Sequence, residues 1–521
     1  MISWQDKLDH KLDQPTAVVG FGKSGKGVLD FLLEKTGKAP FLYNDTPIPE
    51  TEAAEQKKYQ DKGVTFLVGE EHFNRLEKVG LIVLSPGVDG SKPRFARLRE
   101  KGIVIISEIE LAAAFIPATT PIIAVTGTNG KSTTVSLIHH FLRAGGIPSV
   151  LAGNIGTPFI PEVDAISRQA GAMVVLEVSS FQLEEIVHFR PKIGLILNIT
   201  PDHLDRYAST AEYFSAKLNL VKNQERGDYL VLNADDPVLR EHAHANSSSF
   251  GQARRLWFSL SRTIEAKKDN GFDIFASIVG KDILLRVGDV DCSSRDSGET
   301  GDTGASSVTD ATRSTPRKGT SPVPPGLKDS CEKISLLNNP LRGLHNLENI
   351  LAAATAARLA GVSPETIEAA LPSFKGLPHR MESSGTLDNV EFINDSKATN
   401  VDATLKSIAG ITGPMVLILG GKDKGGDFVG LREIIKERVD QVLLIGKAAQ
   451  TIREQLGAGI DMEPVTDLAD AVNKGYRRLK ATGGVVLLAP GCASFDMFNN
   501  FEHRGDVFKQ EVSRLIQEHR S

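Results

Sequence analysis

Cysteine is scarce: Cys292, Cys331 and Cys492 are the only three in 521 residues. So few, so scattered, they exclude a disulfide framework and a CxxC metal site, and they fit a reducing compartment. Long hydrophobic runs are missing as well. None approaches the ~18 residues that a membrane-crossing helix needs, so no membrane insertion is expected. The first residues, MISWQDKLDHKLDQ, alternate in charge and lack the apolar centre of a secretory signal. A cytoplasmic location follows as the expectation. Excess charge of one sign is lacking too. With 60 basic and 65 acidic residues the net charge is −5, which argues against a nucleic-acid partner.

What is present is a repeated alternation of short apolar runs with helix-like stretches, the pattern of parallel α/β units. Three blocks carry it. The first begins at Thr16-Ala17-Val18-Val19 and adds Phe41–Tyr43 and Leu81–Leu84. The second runs from Ile122–Val125 through Met173–Leu176 and Ile193–Leu197 to Tyr229–Leu232. The third uses Val390–Ile393, Met415–Leu419, Val442–Ile445 and Val485–Leu488. Three domains also match the chain length at about 150 residues each. Between the second and third blocks, Ser293–Pro325 is dominated by Ser, Thr, Gly, Asp and Pro. With so little apolar surface to bury it reads as a disordered loop, a phosphorylation segment being the alternative. An Ala-rich helix is expected after it, over His345–Leu359, with Gly361 as its C-terminal cap.

The strongest single motif is Gly127-Thr128-Asn129-Gly130-Lys131-Ser132-Thr133, which follows a strand and opens a helix over Thr134–Arg143. Glycines let backbone N–H groups crowd around phosphate oxygens, and a helix N-terminus adds partial positive charge. Lys131 is placed to reach the β- and γ-phosphates and Ser132 to take a magnesium position. GxxxxGK[ST] would require glycine where this chain has Val125, so the loop is a compact variant.

Two neighbouring strands end in polar clusters, one beginning at Glu177 and including Gln182, the other containing Asp202, His203 and Asp205. Ligands gather at the carboxyl ends of parallel strands, so both clusters should face the phosphates. Glu177 suits a magnesium ion, because hard cations prefer carboxylate oxygen. His203 suits a second metal, an anionic substrate or a plain loop hydrogen bond. Lys217 lies in an expected helix, Thr210–Val221, with Phe214, Leu218 and Val221 on one apolar face. Its spacing alone indicates a surface lysine.

In the first block, Gly20-Phe21-Gly22-Lys23-Ser24-Gly25 fits GxGxxG after a strand, and Asp45 follows the next strand. That turn can cradle a dinucleotide or any diphosphate, or its glycines can serve only close helix packing.

Taken together, GTNGKST, LEVSSFQL, NITPDHLDRY, AEYFSAKLNLV, LRGLHNLENILAA and LPHRME resemble the Mur ligases, which build the peptide stem of peptidoglycan. NDSKATNVDAT, APGCASFDMFNNFEHRG, GFGKSG and SPG are most similar to the D-glutamate-adding branch. The resemblance implies three α/β domains. A Rossmann-like domain over 1–112 would bind the UDP substrate. A P-loop-type ATPase domain over 113–376 would carry the loop near 293–325, and a Rossmann-like domain over 377–521 would take the amino acid. It implies a monomeric enzyme that phosphorylates the carboxylate of UDP-N-acetylmuramoyl-L-alanine with ATP and passes the acyl phosphate to D-glutamate through a tetrahedral intermediate.

Site residues carry over motif by motif. Gly127–Thr133, Asn349 and Arg380 match ATP contacts. Ser132, Glu177, His203 and Lys217 match the positions of two Mg²⁺ ions, Lys217 being the lysine that the family carbamylates with CO₂; Lys131, His203 and Lys217 are the catalytic set. Ser24, Asp45, Thr46, Ser85, Pro86, Gly87, Asn154 and Gln182 match the UDP-substrate side. Lys397, Thr399, Lys424, Ser494 and Phe501 match the D-glutamate pocket, with Lys424 preferred to Lys422 for the carboxylate. A folate-type ligase would have no reason to carry the GxGxxG block, and a dehydrogenase leaves Lys131 without purpose. A non-catalytic nucleotide-binding regulator would not need intact SKATN and CASFD.

Overall fold

The computed structural model describes residues 4–154, 156–203, 206–262, 274–287, 330–341, 343–423 and 425–520. The segment Ser293–Pro325 therefore lies outside the described residues. Three sheets occupy the three blocks. In the first, β1 (Thr16–Val19), β2 (Phe41–Asn44), β3 (Thr65–Val68), β4 (Leu81–Leu84) and β5 (Val104–Ser107) are parallel in the order 3-2-1-4-5. The central strands β1 and β4 are buried at every residue, which is why TAVV and LIVL read as unbroken apolar runs. The strand order reverses direction between β1 and β4, where such sheets open a crevice for ligands.

The second sheet contains β6 (Ile122–Thr126), β7 (Ser149–Gly153), β8 (Met173–Glu177), β9 (Ile193–Ile196), β10 (Tyr229–Asn233), β11 (Arg254–Ser259), β12 (Ile274–Val279), β13 (Asp282–Val287) and β14 (Ser330–Ser335). Their order is 14-13-12-11-10-9-6-8-7. Pairing is parallel from β7 to β12 and antiparallel among β12, β13 and β14, with Val287 opposite Ser330. In the third sheet, β15 (Glu382–Leu387), β16 (Val390–Asn394), β17 (Met415–Gly420), β18 (Gln441–Ile445), β19 (Met462–Pro464) and β20 (Gly484–Leu488) run in the order 15-16-20-17-18-19. Its antiparallel β15–β16 pair turns at Asp388 and Asn389, both left-handed (φ 46° and 63°), as a two-residue hairpin of this type demands.

Alternation along β6 divides the central core. Ile122 and Ala124 pack towards the first sheet, whereas Ile123 and Val125 pack beneath the helices Lys131–Ala144 and Leu344–Leu359. Ala352, Ala353, Ala354, Ala356 and Ala357 are fully buried, so the small side chains bring the second helix close to the first. The expected Thr134–Arg143 helix begins three residues earlier, at Lys131, because the phosphate loop itself supplies the first turn. The helix holding Lys217 is Thr210–Leu218, continued by a 3₁₀ turn at Asn219–Val221.

Candidate active site

The phosphate loop leaves β6 at Gly127 (φ 146°) and enters its helix through Gly130 (φ 86°). Glycine is required at position 130 for a second reason: a Cβ there would lie 2.3 Å from the Asn349 Oδ1. The loop is held from β9's end, where the Asn198 side chain accepts from the Asn129 N–H (2.8 Å) and donates to the Asn129 carbonyl (3.1 Å). Thr128 Oγ1 accepts from the Thr200 N–H and donates to the Thr200 carbonyl. Such clamping fixes the N–H groups of the loop before any anion arrives.

Two lysines converge on the same backbone turn. Lys131 Nζ donates to the carbonyls of Gly127 (2.9 Å) and Thr128 (2.8 Å), and Lys217 Nζ donates to the Gly127 carbonyl (2.9 Å). The surface position that spacing alone suggested for Lys217 is not what the fold gives it: the residue is 1% exposed and its ammonium lies 4.4 Å from the Tyr213 ring centroid. Burial, followed by the neighbouring Lys131 charge, pushes the Lys217 pKa well below the ordinary lysine value. Burial thus shifts this amine towards its neutral, nucleophilic form.

Glu177, at the end of β8, is 3% exposed. One carboxylate oxygen accepts from Asn154 Nδ2 (3.1 Å), and the other is buried with no hydrogen-bond partner. An orphaned, buried carboxylate oxygen is costly unless something cationic meets it. Gln182 closes a capping box on Ser179 at the start of the helix Ser180–Glu184. Its Nε2 is likewise buried and unpaired. His203 has φ 54°, and its ring packs edge-on against Phe181 at 4.9 Å.

Opposite these groups stands the C-terminal block. Arg380 reaches across to donate to the Ser132 Oγ (2.8 Å), and burial lowers its pKa. Lys397 lies 3.8 Å from the Phe501 ring centroid, and burial, then Arg380, lowers its pKa to about 8.

Two cavities result. One, of about 260 Å³, is lined by Thr128–Thr133, Glu177, His203, Asn349, Arg380, Lys397 and Thr399. The other, of about 550 Å³, is lined by Ser24 and Pro86 of the first block, Asn154 and Gln182 of the second, and Phe501 of the third. Ser132, Asn154, Glu177, Arg380 and Lys397 belong to both.

Not every residue singled out from sequence lines these spaces. The Asp45 carboxylate is taken by Arg94 (2.8 and 2.6 Å) and the Tyr43 hydroxyl (2.7 Å), and the arginine holds its pKa low. Thr46 and Gly87 are exposed, and Ser85 is turned inward to bond the Gly20 carbonyl (3.1 Å). A Cβ on Gly25 would lie 2.0 Å from that same carbonyl, so the third glycine of GxGxxG serves close packing. Ser494 is buried without lining either cavity, and Lys424 lies outside the described residues.

Other wall residues escaped sequence reasoning. Asn198 was visible as the polar end of an apolar run, and Asn346 as the opening turn of the Ala-rich helix. Asp395 lay within the quoted NDSKATNVDAT stretch without being singled out, and Lys406, on the helix Val401–Ala409, carried no local signal.

Comparison with known proteins matches three family models: Mur ligase MurD-like N-terminal domain over 14–107, Mur ligase middle domain over 125–287, and Mur ligase glutamate ligase domain over 379–492. The UDP-N-acetylmuramoylalanine–D-glutamate ligase of Koribacter versatilis is 36% identical over 501 residues, covering 96% of this chain and 97% of the relative. The enzyme of the same name from Acidobacterium capsulatum is 39% identical over 495 residues, 95% of each. Among solved structures, a pseudomurein peptide ligase type C from Methanothermus fervidus shares the fold at TM-score 0.54 and 18% identity, covering 96% of this chain and 100% of that one. MurF ligase from Thermotoga maritima in complex with ADP does so at TM-score 0.54 and 15% identity, covering 97% and 99%. Phosphate loop, polar strand ends and three-sheet architecture thus agree with full-length relatives: the chain belongs to the Mur ligase family.

Proposed function

We propose that the chain is an ATP-dependent ligase that joins D-glutamate to UDP-N-acetylmuramoyl-L-alanine, a cytoplasmic step of peptidoglycan precursor synthesis, acting as a monomer. The full-length relatives bearing that activity in their names support it. The observation that carries it is the meeting of the two cavities at Ser132, Glu177, Arg380 and Lys397. A triphosphate lying along the loop in the smaller cavity and a carboxylate entering from the larger would present their reacting ends to each other there. The three blocks then divide the work: 1–112 takes the UDP moiety, 113–376 the ATP, and 377–521 the amino acid.

A carboxylate is a poor electrophile at neutral pH. Its oxygen attacks the γ-phosphorus, the bond to the β-bridging oxygen breaks, and ADP leaves. The amine of D-glutamate adds to the resulting acyl phosphate, a proton is lost, and the tetrahedral intermediate expels phosphate to leave the amide. Lys131 and Arg380 line the smaller cavity, where they would stabilise the charge of a transferring phosphoryl group. Lys397 and Phe501 stand where an amino-acid carboxylate would be received. Thr399 lines the smaller cavity on that side, and family resemblance alone adds Ser494 and Lys424 to the amino-acid side. Asn349 borders the nucleotide, and Ser24, Pro86, Asn154 and Gln182 border the UDP substrate.

Magnesium fits this donor set. The unpaired Glu177 oxygen, the Ser132 hydroxyl and His203 are suitable ligands. Among the described residues no group of three His, Cys, Asp or Glu side chains is arranged for a metal, so the shell would be filled by waters, phosphate oxygens and a further anionic donor. Lys217 would provide it: its neutral amine adds to CO₂ and releases a proton, giving a carbamate. Bound Mg²⁺ would supply charge neutralisation of the phosphates and of the carboxylate oxygen. The decisive experiment follows phosphate release from purified protein given ATP, Mg²⁺, UDP-N-acetylmuramoyl-L-alanine and a panel of amino acids. Release dependent on D-glutamate is expected; its absence overturns the assignment.

A further inference from the structure

The helix Val401–Ala409 of the third block begins directly against the phosphate loop of the second. Asn400 caps it, accepting from the Ala403 N–H (2.8 Å). In its first turn, the Asp402 carboxylate accepts from Asn129 Nδ2 at 2.7 Å and pairs with Lys406 at 3.2 Å. Asn129 is the loop residue whose backbone N–H and carbonyl are both held by Asn198. Its main chain is therefore fixed from within the central block, and its side chain is fixed from the other block.

We propose that Asp402 is a positioning residue: through Asn129 it makes the phosphate loop's grip on nucleotide depend on the docking of the C-terminal block. The inference rests on the ATP-binding assignment above. An acid close to a triphosphate site would ordinarily repel the ligand. Here Lys406 neutralises the carboxylate, which is directed at the Asn129 amide, and Asp402 does not line the nucleotide cavity. Its net effect is thus to organise the loop. A charged hydrogen bond of this kind is strong enough to alter affinity about tenfold. Asp402 also occupies a helix first turn, where an acid stabilises the helix by itself. That alternative role would lower the melting temperature and leave nucleotide affinity alone.

The test uses the full-length protein and a non-hydrolysable ATP analogue with Mg²⁺, followed by calorimetry. Asp402→Ala should weaken binding about tenfold and raise the KM for ATP in step, with kcat at saturating ATP little changed. Asp402→Asn keeps an acceptor oxygen for Asn129 and should stay within about threefold of wild type. Asp402→Ser, which retains a polar helix start, repeats the measurement should the alanine variant misfold. Unchanged or tighter binding by the alanine variant overturns the proposal, as does an asparagine variant as weak as alanine. Wild-type protein that fails to bind the analogue overturns the ATP assignment itself, and this inference with it.

Discussion

Between the first and central sheets runs a single apolar core, in which Val18, Leu81 and Val83 belong to the same cluster as Ile122, Ala124, Val174 and Leu176. Between the central and third blocks lie instead the two cavities, the larger also walled by Ser24 and Pro86 of the first block, and polar contacts such as Arg380 to Ser132 and Asp402 to Asn129 cross that seam. Even the buried acids of the first seam are structural. Glu110 accepts the N–H groups of Val187, His188 and Phe189, and Glu108 accepts that of Ile160. Separating the first two sheets would expose apolar surface at roughly 25 cal/mol per Å². Separating the last two exchanges a few polar contacts for water, at small net cost. The seam between the first two blocks is therefore the costlier one to open, and that between the second and third the cheaper.

This contrast can be broken by substitution. The largest effect is expected at Lys217, on the catalytic side. Lys217→Ala should lose activity on the order of 10³-fold, with partial recovery in added acetate, which can stand in for the carbamate; full activity in phosphate-release assays would refute the ligand role. Next comes Glu110→Ala in the apolar seam. It leaves three backbone donors unpaired and should cost about 3 kcal/mol or more in urea denaturation, while activity per folded molecule is preserved. Arg380→Ala, across the polar seam, should reverse that pattern: kcat falls about 100-fold and the denaturation midpoint stays put.

The smallest effect concerns Glu108, whose carboxyl burial pushes up to about 7 from its ordinary value of 4.5. The folded state then binds the extra proton between those two values. Stability should fall as pH rises from 4.5 towards 7, at about 1 kcal/mol per pH unit, and level off above. Glu108→Gln should abolish that slope in pH-dependent melts and leave turnover unchanged.

The three sheets were legible because their inner strands are unbroken apolar runs, and the phosphate loop because glycines at strand ends have few other uses. Edge strands such as β7 and β19 were not legible, being short and half exposed. Lys217 shows the limit most clearly. Spacing made it a surface residue, and only the packing of its helix against Gly127 reveals a buried amine. In GxGxxG the sequence left cradle and packing open, and the structure shows the packing part: a Cβ on Gly25 would lie 2.0 Å from the Gly20 carbonyl. The role of Asp402 was illegible for a third reason, since its partner Asn129 lies in another block, 273 positions away.

The register of β13 and β14 sets how the polar segment between them can vary. Val287 and Ser330 face each other as one ladder pair, so the chain that joins them departs from and returns to nearly the same point. For a loop anchored in this way, closure entropy grows only with the logarithm of length, about 0.6 kcal/mol for each doubling. These strands form the far edge of the central sheet, with β12, β11, β10 and β9 between them and β6, which leads into the phosphate loop. The two ends of that segment are thus held together at an edge of the central sheet, separated by four strands from the one that leads into the phosphate loop.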